Sequence, residues 1–153
     1  MYERILVPTD GSAVAELAVD HAVDLAERYG AELHALYVVD IEAVNLSLGT
    51  EQVERIRQGK FGEMEELEAK ADEATGAVAA AARERGIEAR EEIRVGRPHR
   101  VISRYADDED VDLVVMGSHG RSGVSRALLG SVTERVLRST HRPVLVVDER
   151  DGG

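Results

Sequence analysis

A chain of 153 residues, 43% of them hydrophobic, is long enough for one domain with a real core. It contains no cysteine, which excludes disulfides, thiolate metal sites and cysteine nucleophiles. A formal net charge of −11 and a pI of about 4.9 oppose nucleic-acid phosphates and anionic membranes, so neither is an expected partner.

The chain opens on Met1-Tyr2-Glu3-Arg4 and passes directly into Ile5-Leu6-Val7, a short buried strand that ends at Pro8. This opening lacks the basic stretch and long apolar run of a signal peptide, and no segment has the apolar length of a membrane span. The expectation is a soluble, cytoplasmic protein. Ser12 is placed to cap a helix on which Val14, Leu17, Ala18, Ala22 and Leu25 recur at helical spacing, with Gly30 as its stop. Residues 33–39 read as a second strand. The connection over 40–61 is long, and connections of that length are usually functional. Met64, Leu67, Ala71, Ala74 and Val78 form the stripe of a second helix, stopped at Gly86.

Residues 89–95 read as a third strand whose charges, Arg90, Glu91, Glu92 and Arg94, suit a sheet edge. Pro98 fits the first turn of a third helix carrying Val101, Ile102 and Tyr105. Residues 112–116 are a nearly continuous apolar fourth strand. A fourth helix starts near Ser131, and Pro143 opens a last strand over 144–147, leaving 149–153 as a polar tail. Strands alternating with helices predict an α/β fold: one domain over 1–148, an open parallel five-stranded sheet with helices on both faces. With one Phe and no Trp, its core must be built from Val, Leu, Ile and Ala. Only Lys60 and Lys70 are lysines, and abundant acid with scarce lysine is the composition expected of a halophile.

Ligands of open parallel sheets bind outside the carboxyl ends of the strands. The first strand ends in Pro8-Thr9-Asp10-Gly11-Ser12. The fourth runs from Met116 into Gly117-Ser118-His119-Gly120-Arg121 and on to Gly130-Ser131-Val132-Thr133. If these strands are neighbours, both loops line one crevice. Glycines let backbone N–H groups approach a phosphate, and a helix start attracts anions. Ser131 and Thr133 add hydroxyls; Arg121 and Arg126 add positive charge. Other readings stand beside this one. Ser131-Val132-Thr133-Glu134 is also a capping box. Gly117 and Gly120 also suit a sharp turn, and Asp10 an Asx-turn. His119 is the one histidine suited to phosphate contact; His21, His34, His99 and His141 have no metal-ligand spacing.

Gly117, two residues, Gly120, nine residues and Gly130-Ser131 resemble the G-2x-G-9x-G-(S/T) signature of ATP-binding universal stress proteins. The Ile5-Leu6-Val7-Pro8-Thr9-Asp10 opening, Gly96-Arg97-Pro98 and Arg142-Pro143-Val144-Leu145-Val146-Val147 are similar to that family as well. The resemblance implies strand order 3-2-1-4-5 and a Rossmann-like adenine-nucleotide fold. It places Asp10 near the ribose or adenine and the backbone of Val38 at the adenine edge. Gly117, Gly120, Gly130 and Ser131 would hold the ribose and phosphates, with Val132 and Thr133 closing the phosphate end. Pro8, Thr9, Met116, Ser118, His119 and Arg121 complete the implied site. It further implies ATP with Mg²⁺ or Mn²⁺, and a homodimer joined through Val144 to Val147. The expected function is nucleotide-dependent stress signalling. The alternatives are a slow ATP hydrolase and a dimeric interaction protein with a vestigial pocket. Hydrolysis has little support, because there is no G-x-x-x-x-G-K-(S/T) loop and no lysine among the glycines. No catalytic residue is assigned.

Overall fold

Side chains of a strand alternate between faces, so a strand covered on both sides must be apolar at consecutive positions. The computed structural model, which describes residues 1–40, 65–119 and 129–149, bears this out. Its strands are β1 (Arg4–Pro8), β2 (Glu32–Asp40), β3 (Ala89–Gly96), β4 (Leu113–Gly117) and β5 (Val144–Val147). All pair in parallel, in the order β3-β2-β1-β4-β5 that the family resemblance implied. Its helices are α1 (Ala13–Tyr29), α2 (Glu65–Glu84), α3 (Pro98–Asp108) and α4 (Ser131–Ser139). The 40–61 connection lies outside the described residues apart from Asp40, which ends β2. Among the described residues no helix is long and apolar enough to cross a membrane.

The two faces separate by alternation. Ile5, Val7, Leu33, Ala35, Leu113 and Val115 pack with Ala18, Ala22 and Ala26 of α1 and with Val78 and Ala82 of α2. Leu6, Leu36, Val114 and Met116 face the other way, onto Ile102, Tyr105 and Ala106 of α3 and Val136 of α4. Local signals set the helix ends. The Ser12 side chain accepts from Ala15 N, and Gly30 closes α1 at φ 64°, in the left-handed region that glycine tolerates. Pro98 opens α3 at its first turn. On edge strand β3, Glu92 lies between Arg90 (3.1 Å) and Arg94 (2.8 Å), a charged ladder that discourages pairing with a further strand.

One titratable side chain sits wholly inside this frame. His34 is 0% exposed, and its Nδ1 is 2.7 Å from the Tyr105 hydroxyl. Glu32 Oε1 lies 3.1 Å from Nε2 but without hydrogen-bond alignment. Burial disfavours the imidazolium and holds the His34 pKa below its ordinary 6.5. Arg90 pushes the same way, while Glu32 and Glu109 pull against it. Burial also pushes the Tyr105 hydroxyl up to about 12, so it stays protonated. The unfolded chain therefore takes up a proton at His34 more readily than the folded one. The stability that His34 contributes is complete above pH 6.5 and is lost as pH falls below that value toward the depressed folded pKa. Urea unfolding midpoints should fall with acid between about pH 8 and 5, with the steepest change below the ordinary histidine value. His34→Gln should flatten that slope; an equally steep slope in the variant would assign it to other groups.

Candidate functional site

The carboxyl ends of β1, β2 and β4 meet the first turns of α3 and α4 around a cleft of about 420 Å³. That volume lies within the ordinary range for small-molecule sites. The cleft sits where the chain reverses direction across the sheet, since β1 has β2 on one side and β4 on the other. A second concavity of about 510 Å³ lies elsewhere, between Glu32, Arg83, Glu88, Arg90 and Glu91. Its charges of both signs give no convergent set of donors, so the strand-end cleft is the better candidate despite its smaller volume.

The strand 1 loop is held by its own side chains. Thr9 N donates to Leu36 O at 2.9 Å, extending the β1–β2 ladder by one residue. Gly11 N donates to Thr9 Oγ1 (3.2 Å), Ser12 N donates to Asp10 Oδ1 (2.9 Å), and Gly11 sits at φ 78°. Asp10 thus makes the Asx-turn that was one reading of it, and it also lines the cleft beside Pro8 and Thr9. The two roles are compatible, because an ionised carboxylate can accept more than one hydrogen bond.

The strand 4 loop leaves the sheet in two steps. Ser118 N donates to Val147 O (2.8 Å), and Gly130 N donates to Ser118 O (2.7 Å), which pins the start of α4 against the end of β4. Ser118 is 3% exposed, and its hydroxyl donates to Asp148 Oδ1 at 2.7 Å, so the side chain turns toward the end of β5 and does not line the cleft. His119 does line it, with Nδ1 3.1 Å from Ser118 Oγ. Gly120, Arg121 and Arg126 lie outside the described residues.

The structure corrects two details of the α4 start. Ser131 is the first helical residue and Gly130 is the N-cap, so the capping box is not formed and no side chain caps the helix. Glu134 instead pairs with Arg138 at 3.0 Å on the exposed side. The first-turn N–H groups of Ser131, Val132 and Thr133 therefore have neither an intrahelical partner nor a side-chain cap, and all three residues line the cleft. The second correction concerns Thr133. It is 3% exposed, and its hydroxyl donates its single proton to Gly117 O at 2.8 Å. Its backbone N–H, rather than its hydroxyl, is what it can offer a ligand. Ser131 is exposed and keeps its hydroxyl for that purpose.

Of the residues expected at the site, Pro8, Thr9, Asp10, Val38, Met116, Gly117, His119, Gly130, Ser131, Val132 and Thr133 come together around the one cleft. Sequence reasoning missed Tyr37 and Asp40 at the end of β2, Leu67 on α2, and Pro98 and Ile102 on α3. Leu67 belonged to the recognised helical stripe, yet it lies on the turn of α2 that reaches the cleft. The walls formed by Leu36, Val38, Ile102 and Met116 are apolar, and the α4 end is polar. Such a cleft suits a ligand with a flat apolar body and an anionic end. Among the described residues no group of three or more His, Cys, Asp or Glu side chains gathers to hold a metal ion.

Known proteins share this architecture. The profile of the Universal stress protein family matches residues 1–148. Universal stress protein MJ0531 of Methanocaldococcus jannaschii is 38% identical over 148 residues, which span 96% of this chain and 82% of that protein. The solved structure of hypothetical protein MJ0577 has a TM-score of 0.79 at 32% identity, covering 99% of each chain. A universal stress protein solved in complex with cAMP has a TM-score of 0.66 at 28% identity, covering 97% of this chain and 98% of that one. The strand order, the spaced glycines and relatives matched along nearly the whole length agree: the chain belongs to the universal stress protein family.

Proposed function

We propose that the chain binds an adenine nucleotide, ATP by preference, in the strand-end cleft and acts in the cytoplasm as a nucleotide-responsive stress protein. The observation that carries this reading is the start of α4. A chain that caps α1 with Ser12 leaves α4 without a side-chain cap, and the residues of its first turn line a cleft whose far walls are apolar. The amides of that turn and the positive end of the helix favour an anion locally, against the net charge of −11. The related protein solved with cAMP supports an adenine nucleotide as the ligand class.

In this reading the adenine lies between Val38, Ile102 and Met116, with the Val38 backbone at its edge. Asp10 receives ribose hydroxyls. Gly117, Gly120, Gly130 and Ser131 approach the ribose and phosphates, and Val132 and Thr133 close the phosphate end through their N–H groups. Ser118 supports the site from behind through Asp148, while His119 and Arg121 border the phosphates. With no cluster of protein ligands among the described residues, Mg²⁺ or Mn²⁺ would enter as part of the nucleotide, held mainly by its phosphates. The proposal includes a homodimer through β5, an edge strand on which Val144, Leu145 and Val146 are only half-buried.

A thermal-shift titration with ATP, ADP, AMP and cAMP, each with and without Mg²⁺, tests the reading. A ligand that binds only the folded chain stabilises it by about 2.7 kcal/mol at a hundredfold excess over Kd. The melting point should rise with ATP, and less with nucleotides that have fewer phosphates. Four flat titrations would overturn the proposal.

A further inference from the structure

Among the described residues, Arg100, Arg104 and Arg135 on α3 and α4 are exposed and make no ion pair. Most described arginines elsewhere are paired: Arg28 with Asp24, Arg85 with Glu27, Arg90 and Arg94 with Glu92, Arg138 with Glu134. Arg83, on α2, is a further described arginine without an ion pair to a described residue.

Two contacts set how α3 and α4 lie together. Ser103 Oγ is 2.8 Å from Ser139 Oγ, and Arg142, just beyond α4, reaches Asp107 (3.4 Å) and Asp110 (3.3 Å) at the end of α3. The helices therefore run side by side in the same direction. One turn before each serine, toward the cleft, Arg100 on α3 comes level with Arg135 on α4. Along this seam opposite charges meet at one end and two hydroxyls meet in the middle, while toward the cleft end each helix carries an exposed arginine. Three acids of this region are engaged elsewhere, Asp107 and Asp110 by Arg142 and Glu134 by Arg138. Asp108, one turn beyond Arg104, makes no ion pair with it. Exposed guanidinium groups on adjoining helices, with no ion pair among the described residues, are available to an oxyanion, which guanidinium binds through paired hydrogen bonds.

We propose that the α3–α4 seam is a docking site for an acidic segment of a partner protein, whose carboxylates lie between Arg100 and Arg135 with Arg104 at the rim. A short segment is favoured over nucleic acid because the charge of −11 on the rest of the chain repels a long polyanion, whereas a short one touches only the seam. Arginine is also among the residues enriched where proteins meet.

The test uses the whole nucleotide-free chain and a fluorescein-labelled octaglutamate peptide, read by anisotropy in ~50 mM salt, where surface charges are weakly screened. Its outcome is thus independent of whether the cleft binds nucleotide. Binding should be saturable, and Arg100→Glu and Arg135→Glu should each weaken it by about tenfold or more. Arg83→Glu, which makes the same charge change on α2, should leave it unchanged. Absence of saturable binding, or equal loss in Arg83→Glu, would overturn the proposal. So would binding of inorganic tripolyphosphate, and not of the peptide, at Arg100 and Arg135, which would reassign the seam to small phosphates.

Discussion

Gly130→Val is expected to abolish nucleotide binding and to lower stability by about 1–3 kcal/mol, the usual cost of forcing atoms into a packed site. The cause is space alone. Gly130 sits at φ −64°, which any residue adopts, so no backbone strain enters. A Cβ built there would lie 2.9 Å from His119 Cα and 3.3 Å from His119 Cβ. His119 Cα is main chain and cannot swing aside as a flexible side-chain tip would. The start of α4 must therefore move away from the end of β4, breaking the 2.7 Å bond from Gly130 N to Ser118 O. That movement carries off the amides of Ser131, Val132 and Thr133 together. Even Gly130→Ala should lose about a hundredfold in affinity, equivalent to about 2.7 kcal/mol. Calorimetric titration with ATP, beside urea unfolding of the same samples, separates the two effects. Wild-type affinity in either variant would show that the α4 start does not hold the phosphates.

Ser131→Asp should move stability and affinity in opposite directions. A carboxylate in the first turn of α4 complements the helix dipole and should stabilise the fold by about 0.3–1 kcal/mol. The same charge sits where the phosphates are proposed to lie, and should weaken ATP by roughly tenfold to a hundredfold, or about 1.4–2.7 kcal/mol. Ser131→Ala gives the neutral comparison. It removes one hydroxyl donor and should cost about 1 kcal/mol of binding. A folding defect would lower both quantities, so a raised melting point with weakened ATP binding identifies an anion site. An Asp variant that is more stable and binds ATP as well as the wild type would place the phosphates elsewhere.

Much of the architecture was legible because its rules are local. Ser12, Gly30 and Pro98 act where cap and turn chemistry puts them, since each acts on backbone only a few residues away. The consecutive apolar runs at 5–7 and 113–116 read as strands buried on both faces, which they are. The α4 start was only half legible. The S-x-x-E spelling of Ser131 to Glu134 matches a capping box, but whether Ser131 stands at the N-cap or inside the helix depends on where the loop from β4 is pinned. The bond from Gly130 N to Ser118 O pins it one residue earlier. The glycines were recognised, but for an incomplete reason. A Cβ on Gly117 would lie 3.0 Å from Val14 Cγ1 and 3.3 Å from the Val14 backbone carbon, so close packing of α1 on β4 already favours glycine there, before any ligand is considered.

By itself the sequence determined the order and type of the elements along the chain, and its motifs pointed to the family to which the chain belongs. The elements follow from periodicity and cap chemistry, where each residue acts on near neighbours, and the family from the resemblance of the spaced glycines and strand-end motifs. Only the tertiary structure decided which hydroxyl protons are already engaged, as with Thr133 on Gly117 O and Ser118 on Asp148, and which distant hydroxyls meet, as Ser103 and Ser139 do at the α3–α4 seam. These depend on groups far apart in sequence arriving at one point. A hydrogen bond or an unpaired charge is settled by that arrival, not by the local pattern on either segment.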